Sequence, residues 1–268
     1  MRDFRDKTVI VTGASAGVGA ATARLFAAEG ARVVLAARSA EPLRALAGEL
    51  GDRAIAVPTD VADPAACAAL IDTALDATGR IDVLVNNAGC NHRGAVADLD
   101  VEHIERILDI NLKAPLRLSR LALPHLMRQG GAIVNVASLA GRVPVDHEAS
   151  YSASKFGLRA FSRALGEELA GTGVTVSAVS PGPIDTGFIM DHLDQVPDLV
   201  FSQPMSTAEE VARQVLACAA DGRRERAMPA LSGILTNLVY LFPALGRLAR
   251  PLLEAKGRRV KARYRDRG

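Results

Sequence analysis

The chain has 268 residues, 49% of them apolar and only 4% aromatic, with no Trp. That length suits one large α/β domain, and a core so poor in rings must be built from Ala, Val, Leu and Ile, as in parallel strands buried on both faces. Its three cysteines, Cys67, Cys90 and Cys218, are odd in number and widely spaced, which argues against a disulfide framework or a structural zinc site and for a reducing, cytoplasmic setting. The formal charge of +2 hides an asymmetry: residues 222–268 carry 12 Lys/Arg against 3 Asp/Glu, a net +9, which leaves −7 on the preceding 221 residues.

Apolar runs of strand length alternate with helix-length amphipathic stretches, a pattern that predicts a doubly wound parallel sheet. In such a sheet ligands bind outside the carboxyl ends of the strands, so chemistry is expected at those ends. The first strand, TVIVT at 8–12, begins close to the start of the chain, and nothing before it reads as a secretory or transit segment. It runs into TGASAGVG (12–19) and an Ala-rich helix at 17–29. Gly13, Gly17 and Gly19 let the backbone turn tightly and approach a pyrophosphate, with Ser15 and Val18 in the same turn. The free N–H groups of the helix start then face the phosphates. A glycine turn alone is weak evidence, but this one has the required strand before it and helix after it.

The spacing TGxxxGxG resembles that of the short-chain dehydrogenases/reductases, and later motifs extend the resemblance over about residues 8–190. The resemblance implies a Rossmann-type single domain, an oxidoreductase activity and a nicotinamide cofactor. The second strand, RVVLAA (32–37), ends in Arg38 and Ser39 with no acid to repel a ribose 2′-phosphate. Arg38 offers a planar fork of donors, so NADP(H) is the expected cofactor. The third strand (54–59) ends at Asp60-Val61, which resembles the family's adenine-contacting pair. Asp63-Pro64 then opens a helix at 64–78, with Pro at its first position. The fourth strand (81–88) closes on Asn86-Asn87-Ala88-Gly89, the family's NNAG motif, expected to tie neighbouring strands and leave backbone free beside the cofactor.

One helix is expected over 101–128, carrying Asn111 where the family has the Asn of a proton relay. The fifth strand (132–138) ends at Ser138, and YSASK (151–155) starts a helix at 151–170. Tyr151 and Lys155 are one turn apart and share a helix face. A phenol has a reference pKa of about 10, and a neighbouring ammonium would lower it towards useful proton transfer. The resemblance implies that Lys155 holds the nicotinamide ribose, Ser138 the carbonyl oxygen, and Tyr151 the proton. After the sixth strand (174–181), Pro181-Gly182 with Ile184 and Thr186 matches the family's PG motif beside the nicotinamide.

Residues 187–206 correspond to the family's mobile substrate loop, and their apolar content suggests a lipophilic carbonyl or secondary alcohol. Ser206 to Glu209 reads as a capping box for a further helix. Residues 1–221 are thus expected to form the catalytic unit, with 222–268 a helical extension of the same domain. In the extension, 230–242 has an apolar stripe, Pro243 interrupts it, a second short helix is expected to break or kink at Pro251, and a flexible basic end follows, running from Lys256 to Arg267. An apolar stripe followed by cations suits a cover over the pocket, a subunit contact, or a peripheral seat for 230–268 on an anionic membrane. Nucleic acid is not expected as a partner, since only Tyr264 is there to stack. The resemblance implies a homodimer or homotetramer. No metal site is expected, because the five histidines lack ligand spacing. The reading from a different class is a non-catalytic NADP(H)-binding sensor, which usually lacks the Tyr or Lys present here.

Overall fold

The computed structural model describes residues 3–265, so Arg267 of the basic end lies outside the described residues. In chain order the first half runs β1 (Thr8–Thr12), α1 (Gly17–Ala28), β2 (Arg32–Ala37), α2 (Ala40–Leu50), β3 (Ala54–Pro58), α3 (Pro64–Thr78), β4 (Val83–Asn86), α4 (Val101–Leu108) and α5 (Ala114–Leu126). The second half runs β5 (Gly131–Val136), α6 (Ala149–Glu168), β6 (Val174–Pro181), α7 (Gly187–Met190), α8 (Ala208–Asp221), β7 (Glu225–Met228), α9 (Ala230–Leu241) and α10 (Pro243–Arg265). The seven strands form one parallel sheet in the order β3-β2-β1-β4-β5-β6-β7. The direction of winding reverses between β1 and β4, so a crevice opens at their carboxyl ends.

The apolar runs of the inner strands are continuous because each of these is covered on both faces. On β1, Val9 and Val11 pack under α1, α2 and α8, while Ile10 packs under α3, α5 and α6. All five β1 residues are buried. The cores are aliphatic, as the composition requires, with Phe26 the main ring between sheet and helices. Asp63 caps α3 by accepting from Ala65 N at 2.9 Å, with Pro64 next to it.

Four features depart from the sequence expectation. The 101–128 segment is not one α-helix: a π-helical turn at Asp109–Lys113 separates α4 from α5. The capping box sits one residue later, on Thr207 and Glu210, because Ser206 is held extended by bonds to Pro183 and Asp185. Strand β7 was not anticipated. Its ERAM sequence looks polar, yet Glu225 is paired with Arg142 and Arg159, and Arg226 with Asp221, at the sheet edge. As far as Arg265 the basic end is not a flexible tail either, since α10 runs through Pro251 without ending.

The outer part of α10 is held by the substrate-loop segment. Lys261 is buried and donates to Val196 O at 2.6 Å, with Asp198 at 3.5 Å. Gly257 lies directly against the Asp198 carbonyl, leaving no room for a Cβ. Gly257→Val should therefore detach this contact and cost about 1–3 kcal/mol. Chemical denaturation, with proteolysis at 187–206 as the local readout, checks this; an unchanged midpoint and cleavage pattern would contradict it.

Candidate active site

Above the carboxyl ends of the strands lies a cavity of about 1150 Å³. Single small-molecule sites usually measure roughly 300–1,000 Å³, so there is room for a dinucleotide and a second ligand together. Every predicted site residue lines it except Gly19 and Asn111.

At one end the turn after β1 forms the floor. Gly13 and Gly17 have φ of +66° and +51°, which only glycine adopts cheaply. A Cβ on Gly17 would fall 3.3 Å from Thr186 Cγ2, so bare backbone is what leaves this cradle open. Gly19 does something else: a Cβ there would collide with the Gly13 carbonyl and the Asn87 amide. Its absence lets α1 pack against the turn. Asn87 fastens the same turn from β4, donating from Nδ2 to Thr12 O at 2.9 Å and Gly13 O at 3.3 Å. Asn86 points the other way, into a buried polar row with Asn135 (2.8 Å), which in turn reaches Ser162. The NNAG motif thus holds strands together on one side and the turn on the other.

Arg38 and Ser39 are exposed at the cavity edge, and Arg38 makes no ion pair among the described residues. Asp60 is engaged by Ala62 N (3.0 Å) and Arg106 (3.0 Å). Burial opposes its ionisation, but these bonds hold its carboxyl below the usual carboxylate range.

At the other end Ser138, Tyr151 and Lys155 come together. Ser138 follows β5, its Oγ accepts from Ala140 N at 3.1 Å, and it lies beside the Tyr151 hydroxyl. Tyr151 and Lys155 project from the first turns of α6, with the ammonium 5.7 Å from the phenol ring centre. Lys155 Nζ donates to Val136 O at 2.9 Å. Both side chains are buried. Burial, aided by the Glu148 carboxylate, pushes the Tyr151 phenol up, against the expected lowering, while burial lowers the Lys155 amine to about 8. Before a ligand enters, the site therefore holds a firmly protonated phenol.

Asn111 lies behind this wall rather than in the cavity. It is fully buried in the π turn; its Oδ1 accepts from Cys90 N at 2.9 Å, and its Nδ2 donates to Cys90 O at 2.9 Å and to Ser154 at 3.1 Å. A polar residue that looks awkward mid-helix thus pins the chain after NNAG to α6. The sequence reading missed Arg93. It is buried beside Tyr151, paired with Glu148 at 2.8 Å, with its guanidinium 5.6 Å from the centre of the Phe188 ring. Its position in a loop without regular structure left no periodic signal. The C-terminal extension completes the wall opposite, through Leu235, Val239, Tyr240 and Leu253.

The cavity residues fit a nicotinamide dinucleotide: Cβ-free backbone at a helix start, a guanidinium without an ion pair among the described residues at one end, and a buried Tyr–Lys pair at the other. Comparisons with known proteins agree with this geometry. The model of the short chain dehydrogenase family matches residues 7–196. The ketoacyl reductase HetN of Nostoc sp. is 42% identical over 221 residues, covering 80% of this chain and 77% of its own. A putative ketoacyl reductase of the monensin polyketide synthase, from Streptomyces virginiae, is 44% identical over 192 residues, covering 69% and 74%. The cis-4-hydroxycyclohexanecarboxylate dehydrogenase of Sinomonas cyclohexanicum is 38% identical over 226 residues, covering 81% and 91%. With both the sheet and the motif residues in place, the chain belongs to the short-chain dehydrogenase family of oxidoreductases, which work with nicotinamide cofactors.

Proposed function

We propose that the protein is an NADP(H)-dependent oxidoreductase that interconverts a lipophilic ketone and its secondary alcohol. The observation that carries this reading is the convergence of Ser138, Tyr151 and Lys155 on one cavity whose far edge presents Arg38. The apolar walls contributed by Phe188, Leu199, Leu235, Val239 and Leu253 support a lipophilic substrate. The names of the relatives, ketoacyl reductases and a hydroxycyclohexanecarboxylate dehydrogenase, support carbonyl–alcohol chemistry.

The cofactor supplies the hydride. Arg38 and Ser39 bind the adenosine end, and the Gly13–Gly17 turn presents backbone N–H groups to the phosphates. Thr186, Ile184 and the Pro181-Gly182 turn border the nicotinamide end. Ser138 orients the substrate oxygen. Tyr151 delivers a proton from its hydroxyl as negative charge develops on that oxygen. Lys155, fixed by Val136 O, places its amine beside the phenol and the ribose hydroxyls. Asn111 positions the Cys90 backbone and α6 so that this arrangement keeps its shape. The test is NADPH and NADH consumption over a panel running from small polar to long apolar ketones, with alcohol oxidation as the reverse arm. No turnover in either direction would overturn the proposal.

The pKa directions give a pH profile. Reduction needs the Tyr151 proton, which burial retains well above neutrality. The Lys155 amine is the group that changes first, at about 8. The kcat/KM for reduction should therefore be level below about 8 and fall above it, because this ratio reports the free enzyme. Stability should move oppositely. The folded-state pKa of Lys155 lies below its unfolded value of 10.5, so between about 8 and 10.5 the unfolded chain binds more protons and unfolding becomes harder as pH rises. A reduction rate that climbs through this window, or a Lys155→Met variant with the same stability profile, would contradict the assignment.

A further inference from the structure

Eleven of the fifteen exposed large apolar side chains among the described residues fall within 231–253, so they form one patch rather than a scatter. Leu235, Tyr240 and Leu253 line the cavity, and the other eight lie outside it, on α9, α10 and the turn between them. Leu231, Ile234, Leu241, Leu245, Leu248 and Leu252 are all more than half exposed, Leu248 at 80%. The opposite faces of the same helices, with Leu235, Val239 and Leu253, line the cavity. The outer stripe does not stop at Leu252. Positions 245, 248, 252, 256, 259 and 263 keep a helical three-four spacing, and its last three members are Lys256, which also reaches the cavity rim, Arg259 and Arg263.

The cations of α10 divide by direction: Arg247 and Arg250 border the cavity, Arg250 paired with Asp146 and Glu254. Lys261, Arg265 and Arg258 are engaged by Asp198 or Asp194 of the substrate loop. Lys256, Arg259 and Arg263 are exposed and make no ion pair among the described residues. The only acid in α9 and α10 is Glu254, already paired with Arg250. A second copy meeting this face through its own α9 and α10 would bring three unpaired cations and no free carboxylate, whereas an anionic lipid surface supplies both an apolar layer and the counter-charge.

We propose that the outer face of α9 and α10 seats the protein peripherally on an anionic lipid bilayer, with leucines in the acyl boundary and Lys256, Arg259 and Arg263 on the headgroups. No helix among the described residues is long and apolar enough to cross a membrane, so the contact is one of lying on the surface. The cavity lies just behind the docked helices, where a lipophilic substrate would be delivered.

The test is co-sedimentation of the full chain with vesicles of phosphatidylcholine alone and of phosphatidylcholine mixed with phosphatidylglycerol, at low and high salt. The expected result is binding to the mixed vesicles only, weakened by salt. Arg259→Glu with Arg263→Glu should weaken it by roughly 25-fold or more, from about five-fold for each cation lost. Leu248→Glu with Leu252→Glu should remove it. None of these four residues lines the cavity; circular dichroism and thermal melts matching the parent show that each variant is folded, and if one pair fails to fold, the other pair decides. No pelleting at low salt, equal pelleting with neutral vesicles, or binding unaffected by the folded variants would overturn the proposal. So would a leucine variant that halves the mass in solution without changing vesicle binding, an outcome that would assign the face to a second copy. The assay needs no turnover, so it fails or succeeds separately from the oxidoreductase reading.

Discussion

Tyr151→Phe is expected to lower kcat for carbonyl reduction by about 10²–10⁴-fold while leaving NADPH affinity within a few-fold of the parent. The magnitude is that of a positioned general acid. The ring itself stays: it packs in a small cluster with Ile107 and Ala140, near Phe188, and Phe fills the same volume. What disappears is the one hydroxyl that contacts Ser138 at the buried end of the cavity. Even a full hydrogen bond lost with that hydroxyl would cost only about 0.5–1.5 kcal/mol of stability, too little to unfold a domain. Steady-state kinetics paired with NADPH fluorescence titration separates the two effects. Residual turnover near the parent's would remove Tyr151 from proton transfer, and a parallel collapse of NADPH binding would make its role structural.

The second large effect is expected at the opposite end of the same cavity. Arg38→Glu should weaken NADPH by about 100-fold and leave NADH within a few-fold of its original affinity. A charge-assisted hydrogen bond contributes about 1.5–3 kcal/mol, and a carboxylate in its place adds repulsion against a 2′-phosphate. Arg38 is exposed, so solvent screens part of this, and the preference for NADPH should shrink as salt is raised. Arg38→Gln, which removes charge without reversing it, should fall between the two. Kd values for both cofactors by titration check the ordering. Equal changes for NADPH and NADH would mean that Arg38 does not read the phosphate.

How far the sequence could be read depended on whether a residue's surroundings are local. Strands β1, β2 and β6 were legible to the residue, since double-sided burial writes itself as an unbroken apolar run. The glycine turn and the Tyr151–Lys155 spacing were legible because each needs a particular residue at a fixed offset. Gly19 was visible as part of the motif, but not its task, because the collision it avoids is with Gly13 and Asn87 in space. Asn111 could be matched by position, while the π turn that makes its burial favourable had no signature. Arg93 depends on Glu148, 55 residues away, and β7 on cations from the β5–α6 segment and α6. Such long-range pairings leave no periodic trace. The direction of the Tyr151 shift was misjudged for the same reason: the neighbour Lys155 is in the sequence, the depth of burial is not.

The wall made by α9 and α10 separates two kinds of heritable change in this chain. In the proposed mechanism the residues that handle the proton and border the cofactor cleft all lie between 13 and 186, whereas part of the cavity lining is drawn from 232–256. The two stretches meet across the cavity, tied by Arg142, which reaches Gly233 O at 2.9 Å and Glu225 at 2.7 Å. Exchange of the C-terminal segment alone, keeping those anchor points, would therefore alter which molecules are accepted without touching the machinery that transforms them. On the proposed reading, selectivity is free to drift or be engineered at the end of the chain while the chemistry stays fixed at the start.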